Sequence, residues 1–264
     1  MSDVLLDLTA LLRETAGLTL SSVDEAQAAT RLAPRLQRLG LGDFDSYLAL
    51  LDRERGTELQ LAVDLLTTQD ARFFREPELF DWLEAELSQL RPARLRLWSA
   101  AASFGDDAYS LAMVLGDLQR GGRIGADWAV LGTDVGEHRL QVAEAALYPA
   151  ARLRGVAAER QRQYTLRGNG TVGLVQMQAG LRERVRFLRH DLREPLPGAQ
   201  TFDVIVLRQA LVYFDAPTRQ RVLRQVLSRL QPGGLLLVGA AEAGLVAVAG
   251  LTLLAPGVFR GQTN

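Results

Sequence analysis

From residue 94 onward, short apolar runs alternate with stretches of helical periodicity, and this alternation constrains the fold more than any other feature of the sequence. Strands that alternate with helices are typical of βαβ units, which form a parallel sheet with helices on its faces. The sequence therefore predicts an α/β fold. Four strands of this kind are predicted, at 94–100, 128–134, 202–207 and 235–239.

The segments between these strands and after them complete the pattern. An antiparallel pair of strands is predicted at the end of the chain, around the Pro256-Gly257 turn, because a Pro-Gly dipeptide favours a turn. We therefore expect a parallel sheet with an antiparallel end. The predicted helices lie at 107–119, 137–146 and 217–230, and the last two strands at 251–254 and 257–260.

The N-terminal quarter of the chain has a different pattern. Its apolar residues recur at spacings of three and four, as in Leu32, Leu36 and Leu39, which is typical of amphipathic helices. We therefore expect a helical domain at 1–66 and a second domain at 67–264.

A stretch within the second domain interrupts the alternation of strands and helices. Residues 149–189 contain nine Arg and two Glu, with a tight-turn signal at Gly168-Asn169-Gly170. This composition predicts a basic insertion.

Composition and charge exclude several classes of function. The chain has no cysteine and only two histidines, His138 and His190, which excludes thiol nucleophiles and thiolate or multi-histidine metal sites. We therefore predict no metal site. The net charge of -1 provides no overall attraction to nucleic acid or to an anionic membrane. No apolar run reaches the roughly 20 residues of a membrane helix, and the first residues lack a basic leader, so we expect a cytoplasmic protein.

The first two predicted strands carry a pattern suited to a nucleoside cofactor. The first leads into a loop of small residues that ends at Gly105, and the second ends at Asp134. Small residues let a ligand approach backbone N–H groups, and a carboxylate can accept both ribose hydroxyls. Neither G-x-G-x-x-G nor a P-loop motif is present, so a cofactor with ribose but no phosphate, such as S-adenosylmethionine, fits better. An acid at a strand end is also often only a turn or helix-cap residue.

Four stretches resemble the chemotaxis receptor methyltransferases of the CheR type, which form glutamate methyl esters. Their order and spacing hold over nearly the whole chain, and the segment GAAE at 239–242 resembles the GHSE of the family. The four stretches are TTQDARFFR at 67–75, similar to TTNxTxFFR, WSAAASFGDDAYS at 98–110, similar to WSAAxSTGEEPYS, GTDV at 132–135, similar to xTDI, and RQALVYFD at 208–215, similar to RNVLIYFD.

The resemblance implies a Rossmann-like methyltransferase sheet, an N-terminal helical domain and a small antiparallel β subdomain at 149–189. It also implies S-adenosylmethionine as the cofactor and S-adenosylhomocysteine as the product. Some implied site positions depart from the family pattern, among them Gln69 and Gln209 for Asn and Ala71 for Thr. The implied cofactor-binding residues are Gln69, Ala71, Arg75, Ala100, Gly105, Asp107, Asp134, Asp191, Leu192, Arg208 and Gln209.

The chemistry implied by the resemblance requires little of the protein. A glutamate side chain with a pKa of about 4.3 is already ionised at neutral pH, so its methylation needs no general base. We expect Arg75 to orient a carboxylate and Tyr213 to pack or hydrogen-bond beside the methyl group. Without the motif, Arg75 would be read as a surface salt bridge to Glu76 or Glu78.

The resemblance also implies a partner. Arg31, Arg35 and Arg38 fall on one face of a predicted helix, and a basic stripe suits the acidic cytoplasmic coiled coil of a chemoreceptor; a solvated face is the simpler explanation. The β subdomain is expected to accept a receptor-tail peptide by strand addition. We expect a monomer.

Three functions remain open from the sequence. The leading hypothesis is a protein-glutamate O-methyltransferase in chemotaxis signal transduction. A second is a degenerate family member that binds S-adenosylmethionine or S-adenosylhomocysteine weakly as a regulatory or scaffold module, which the exchanges at Gln69, Ala71, Gln209 and Ala240 motivate. A third is a small-molecule methyltransferase with the same sheet.

Overall fold

A computed structural model describes residues 22–54, 57–67, 71–167, 173–246, 248 and 250–262. The chain forms two compact units. The first unit contains the described residues up to 67 together with Val212–Arg219, and the second contains Ala71–Leu211 and the described residues from Gln220 onward.

The first unit is helical. Apolar residues of its helices form a core that includes Leu32, Leu36, Tyr47 and Leu51, and the spacing of the first two is the one that predicted a helix. Asp43 caps the second helix, since its carboxylate accepts a hydrogen bond from the N–H of Ser46 at 2.7 Å. The three helices are α1 at Ser22–Leu39, α2 at Phe44–Arg53 and α3 at Thr57–Thr67.

The second unit contains a seven-stranded sheet, which confirms the predicted α/β fold. The strands of the sheet are β1 at Arg94–Ser99, β2 at Asp127–Asp134, β6 at Val185–Arg189, β7 at Phe202–Val206, β8 at Leu230–Leu237, β9 at Leu251–Ala255 and β10 at Val258–Gly261. The first five strands in the spatial order β6-β2-β1-β7-β8-β10-β9 are parallel, and β10 is antiparallel to both of its neighbours.

The three helices predicted at 107–119, 137–146 and 217–230 are present, with one correction. The predicted helix at 217–230 ends instead at Leu227, because Leu230 pairs with Phe202 and opens β8. The segment Gln231-Pro232-Gly233-Gly234, between the predicted helix at 217–230 and the predicted strand at 235–239, lies inside β8 as an irregularity, where the register shifts between Phe202 and Val204. The helices are α4 at Pro77–Leu90, α5 at Asp106–Arg120, α6 at Glu137–Ala145, α7 at Ala158–Tyr164, α8 at Ala179–Arg182 and α9 at Ala216–Leu227, the last of which begins in the first unit.

The predicted insertion at 149–189 divides into two parts. A small antiparallel sheet has the order β3-β5-β4 and consists of β3 at Leu147–Pro149, β4 at Thr165–Arg167 and β5 at Leu174–Met177. The predicted range is too long at its C-terminal end, because Val185–Arg189 pairs in parallel with β2 and is an edge strand of the main sheet. The turn at Gly168-Asn169-Gly170 lies outside the described residues.

Part of the basic charge of this insertion is neutralised within the unit. Arg152 pairs with Asp106 at 3.1 Å, and Arg160 pairs with both Asp117, at 2.6 Å, and Glu84, at 2.7 Å. The insertion is thereby fastened to α4 and α5.

The strand order reverses direction beside β1. The chain runs from β1 outward to β2 and β6, then crosses to β7 on the other side of β1. Ligands of open parallel sheets bind outside the carboxyl ends of the strands at such a switch point.

Within the described parts of the chain, no helix is long and apolar enough to cross a membrane.

Candidate functional site

The loop between β1 and α5 is held close to the carboxyl edge of the sheet. The N–H of Ala100 donates to the carbonyl of Val206 at 2.8 Å, and the N–H of Ala102 donates to the carbonyl of Thr133 at 2.8 Å. Gly105 has a φ of +89°, and a Cβ there would lie 3.0 Å from the Tyr148 hydroxyl. Gly105 is therefore required by the protein's own packing.

Asp134 ends β2 beside this loop and is 7% exposed. Its Oδ2 accepts the N–H of Ser103 at 3.0 Å, its Oδ1 accepts the N–H of Gly136 at 2.8 Å, and Arg139 lies 3.4 Å from Oδ1. A carboxylate has about four lone-pair sites, so these contacts fix the orientation of Asp134 and leave it acceptor capacity. The acid thus joins the two loops that follow β1 and β2.

Arg208 follows β7 and is buried at this edge, with a side chain that is 2% exposed. Its Nη1 donates to Asp107 at 2.8 Å, and its Nη2 donates to Glu76 at 3.0 Å and to the carbonyl of Arg75 at 2.7 Å. Burial raises the pKa of Asp107, although Arg208 opposes the shift. Burial also tends to raise the pKa of Glu76, but the N–H of Ala240 and Arg208 outweigh it and lower that pKa.

Arg75 and Gln209, both predicted site residues, contact one another. Nη1 of Arg75 donates to Oε1 of Gln209 at 2.8 Å. Gln209 has a φ of +54° and Glu76 a φ of +55°, a left-handed conformation that is uncommon for residues other than glycine. The described contacts of Arg75 do not include the predicted alternative, a salt bridge to Glu76 or Glu78; Glu76 pairs with Arg208 instead.

Asp191 and Leu192 follow β6 at the same edge. The N–H of His190, just before them, donates to the carbonyl of Asp134 at 3.0 Å, and Leu192 is buried. The Asp191 carboxylate accepts hydrogen bonds from the backbone N–H of Arg193, at 2.9 Å, and from its guanidinium, at 2.6 to 3.0 Å. Burial tends to raise the pKa of Asp191, but these bonds outweigh it and lower the pKa. Asp191 is thus held by its own neighbour.

The remaining predicted site residues are Gln69, Ala71 and Tyr213. Gln69 lies outside the described residues. Ala71 is described and half-buried. Tyr213 is buried, 4% exposed, and lies in the segment Val212–Arg219 that groups with the helical unit.

The structure assigns different environments to the three arginines predicted to bind a partner. Arg31 donates to the carbonyl of Leu66, and Arg35 forms a two-bond pair with Glu58, at 3.0 and 2.5 Å. Arg38 is exposed. The predicted basic stripe is therefore partly used inside the helical unit.

Sequence reasoning missed two buried acids. Glu242, 3% exposed, accepts hydrogen bonds from the N–H groups of Gln209, Ala210 and Leu211. In the sequence, only the resemblance of the GAAE segment to the family pattern pointed to this residue. Asp106, 6% exposed, lies beside Asp107, and burial raises its pKa to about 6 although Arg152 opposes the shift. It lies within the motif at 98–110, where the family pattern has Glu.

Comparison with known proteins agrees with this geometry. The family model described as "CheR methyltransferase, SAM binding domain" matches residues 69–247, and "CheR methyltransferase, all-alpha domain" matches residues 5–67. The chemotaxis protein methyltransferase of Klebsiella aerogenes is 39% identical over 237 residues, 88% of this chain and 80% of the relative. The chemotaxis protein methyltransferase of Escherichia coli is 35% identical over 237 residues, which cover 88% of this chain and 81% of the relative. Chemotaxis protein methyltransferase 2 of Pseudomonas aeruginosa is 36% identical over 86% and 81%, respectively.

The sheet and its carboxyl edge are therefore those of an S-adenosylmethionine-dependent methyltransferase. The chain belongs to the CheR methyltransferase family, and the resemblance recognised in the sequence is confirmed.

The residues at the carboxyl edge fit S-adenosylmethionine by their chemistry. The cofactor offers a ribose diol, two cationic groups and a carboxylate, and the edge offers the buried acid Asp134, the half-buried acid Asp107 and a guanidinium at Arg75. Nε of Arg208 is buried and has no hydrogen-bond acceptor among the described residues. A buried donor without a partner is rare in folded proteins, and a ligand acceptor would satisfy it.

Proposed function

We propose that this chain transfers the methyl group of S-adenosylmethionine to glutamate side chains in the cytoplasmic coiled coil of chemoreceptors and forms methyl esters. The names of the relatives, which are chemotaxis protein methyltransferases, support the class of substrate. The single observation that carries the proposal is the bond between Arg75 and Gln209. It fixes one of the five N–H donors of the guanidinium and leaves the planar group in place to orient a carboxylate.

The proposed reaction needs no proton transfer. A glutamate carboxylate oxygen forms a bond to the methyl carbon, the carbon–sulfur bond breaks, and its electron pair goes to sulfur, which becomes neutral. The cofactor supplies the electrophilic methyl group when it is bound. The protein's part is to hold the two reactants in line and to exclude water.

Roles for the site residues follow from their positions. We assign the ribose hydroxyls to Asp134, whose carboxylate is already oriented by Ser103 and Gly136. Asp107 provides a negative charge for a cationic group of the cofactor, and Arg208 keeps it oriented at 2.8 Å. Tyr213 is assigned a place beside the methyl group. The remaining proposed cofactor contacts come from Gln69, Ala71, Ala100, Gly105, Asp191, Leu192 and Gln209.

The partner side of the proposal has two parts. Arg38 is exposed and supplies positive charge for an acidic coiled coil. Among the described residues, β3 and β4 are the two edge strands of the small sheet, and a receptor-tail peptide can add to such an edge through backbone hydrogen bonds. The protein is proposed to act as a cytoplasmic monomer.

Two measurements, made one after the other, test this function. Calorimetry with S-adenosylmethionine and S-adenosylhomocysteine should show binding of both. Incubation with tritiated cofactor and a receptor cytoplasmic fragment should then release base-labile radioactivity, and a fragment whose acceptor glutamates are replaced by alanine should release none. Cofactor binding without base-labile product would instead favour a regulatory module, and the absence of binding would refute the enzyme.

A further inference from the structure

The backbone of the loop after β7 is held by a single carboxylate, that of Glu242 in the segment after β8. Oε2 of Glu242 accepts the N–H of Gln209 at 2.6 Å, and Oε1 accepts the N–H groups of Ala210 at 3.0 Å and Leu211 at 2.9 Å. Oε2 also accepts the N–H of Gly239 at 3.3 Å. Successive backbone N–H groups that converge in this way form a concave site for an anion. Here the protein's own acid occupies it.

The backbone that Glu242 holds is in an unfavourable conformation. Gln209 has a φ of +54°, in the left-handed region of backbone conformation. Glycine and asparagine adopt this region most readily, and glutamine does not. Such a conformation persists only where the surroundings enforce it. The bond from the N–H of Gln209 to Glu242 is the shortest of the four and acts on the strained residue itself.

The strained loop carries two groups of the cofactor edge. The side chain of Gln209 accepts a hydrogen bond from Arg75, and the preceding Arg208 holds Asp107. A change in the backbone at Gln209 therefore moves an acceptor away from Arg75. Glu242 itself is 3% exposed, and its carboxylate accepts the backbone N–H groups of this loop, so it acts on the site through this loop.

A second acid fastens the turn that carries Glu242. Oε2 of Glu76 accepts the N–H of Ala240 at 2.9 Å, while its Oε1 accepts Nη2 of Arg208 at 3.0 Å. Glu76 follows Arg75 directly and also has a positive φ, +55°. The segments that carry Arg75, Arg208 and Glu242 are thus joined in a closed circuit of hydrogen bonds.

We infer that Glu242 is a positioning residue of the methyltransferase site: its carboxylate holds Gln209 in the strained conformation that fixes Arg75. The inference rests on the proposed function, since it concerns the same site. It predicts that the charge and shape of Glu242 matter for cofactor binding although the side chain is buried and bonds to backbone groups.

The test compares Glu242→Gln with a matched control. Glutamine has one acceptor oxygen and presents an NH₂ group to backbone donors, so Gln209 should relax. The control is Asp203→Asn, because Oδ2 of Asp203 also accepts a backbone N–H, that of Arg96, at 2.7 Å, but at the beginning of β7 and so at the opposite edge of the sheet. Calorimetry should show S-adenosylhomocysteine binding about tenfold weaker in Glu242→Gln and unchanged in Asp203→Asn, with both proteins folded at the assay temperature.

A double-mutant cycle separates positioning from loss of stability. Gln209→Ala should weaken binding several-fold in the wild-type background but less than twofold in the Glu242→Gln background, because Gln209 is already misplaced there. Equal effects in both backgrounds, or a Glu242→Gln protein that binds like wild type, would overturn the inference. Absence of binding or of methyl ester formation by the wild-type protein would instead overturn the proposed function.

Discussion

Arg75 and Gln209 are separated by 134 residues in the sequence and meet in a hydrogen bond of 2.8 Å at the carboxyl edge of the sheet. The contact joins the segment before α4 to the loop after β7. It gives a flexible arginine a defined orientation in the site, which is what the alignment of a carboxylate with a methyl group requires.

Replacement of Arg75 by alanine should therefore lower methyl transfer at least about tenfold, the equivalent of about 1.4 kcal/mol of transition-state stabilisation. The measurement is the rate of base-labile methyl ester formation on a receptor fragment. Arg94→Ala is a suitable control, because its side chain is 68% exposed and lies 3.7 Å from Asp127 at the other edge of the sheet. Equal turnover of Arg75→Ala and the control would refute the role of Arg75.

Arg35 and Arg38 should differ in what their loss affects. Arg35 pairs with the buried Glu58, which also accepts the hydroxyl of Tyr47 at 2.9 Å, so Arg35→Ala should destabilise the protein by about 1–3 kcal/mol. Arg38→Glu should change the free energy of unfolding by less than about 0.5 kcal/mol and weaken binding of the receptor fragment several-fold. Denaturant unfolding and binding titrations measure the two effects. Receptor binding that is indifferent to charge at position 38 would exclude Arg38 from the interface.

The pH dependence of the free energy of unfolding should show the raised pKa of Asp106. Burial raises the pKa of its carboxyl from 3.8 to about 6, so the folded protein binds this proton more tightly than the unfolded chain does. Its contribution to stability is then present below about pH 4 and is lost as the pH rises to about 6. The difference corresponds to roughly 3 kcal/mol at 1.36 kcal/mol per pKa unit.

Asp106→Asn removes this titration. The free energy of unfolding of the wild type, measured relative to the variant, should fall between about pH 4 and 6.5 and stay constant above. A difference between the two proteins that rises with pH over this interval would show that the salt bridge from Arg152, at 3.1 Å, outweighs burial.

Gly132 in β2 should tolerate no side chain. A Cβ there would lie 2.5 Å from two ring carbons of Phe187 and 3.1 Å from Cβ of Ala102, so Gly132→Ala should cost about 1–3 kcal/mol of stability. Gly180→Ala is the control, because no atom lies within 4 Å of its added Cβ, and it should be neutral or slightly stabilising. Chemical denaturation of both variants tests this, and a Gly132→Ala protein as stable as the control would contradict the described packing.

Much of the fold could be predicted because it is encoded in local periodicity. The apolar runs predicted the strands at 128–134 and 202–207 to within one residue, and the general rule for parallel sheets placed Asp134 at the carboxyl edge. The edge strand Val185–Arg189 was hidden, because its alternation of arginines with apolar residues resembled a continuation of the basic insertion.

The partners of charged side chains could not be predicted, because they depend on contacts between distant segments. Arg208 and Glu76 are 132 residues apart, and Glu242 lies 33 residues from Gln209. A charge pattern indicates which residues are on a helix face, as for Arg35, but not whether a buried acid such as Glu58 lies opposite. The strained backbone at Gln209 likewise has no signal in a sequence that contains neither glycine nor asparagine there.

Calorimetric titration of S-adenosylhomocysteine into wild type, Asp134→Asn and Asp127→Asn tests the central claim most directly. Asp134 ends β2 and is buried, whereas Asp127 begins the same strand with a side chain that is 61% exposed. The wild type and Asp127→Asn should bind alike, and Asp134→Asn should bind at least about tenfold more weakly, because an amide loses one acceptor oxygen. Binding of Asp134→Asn with wild-type affinity would contradict the account.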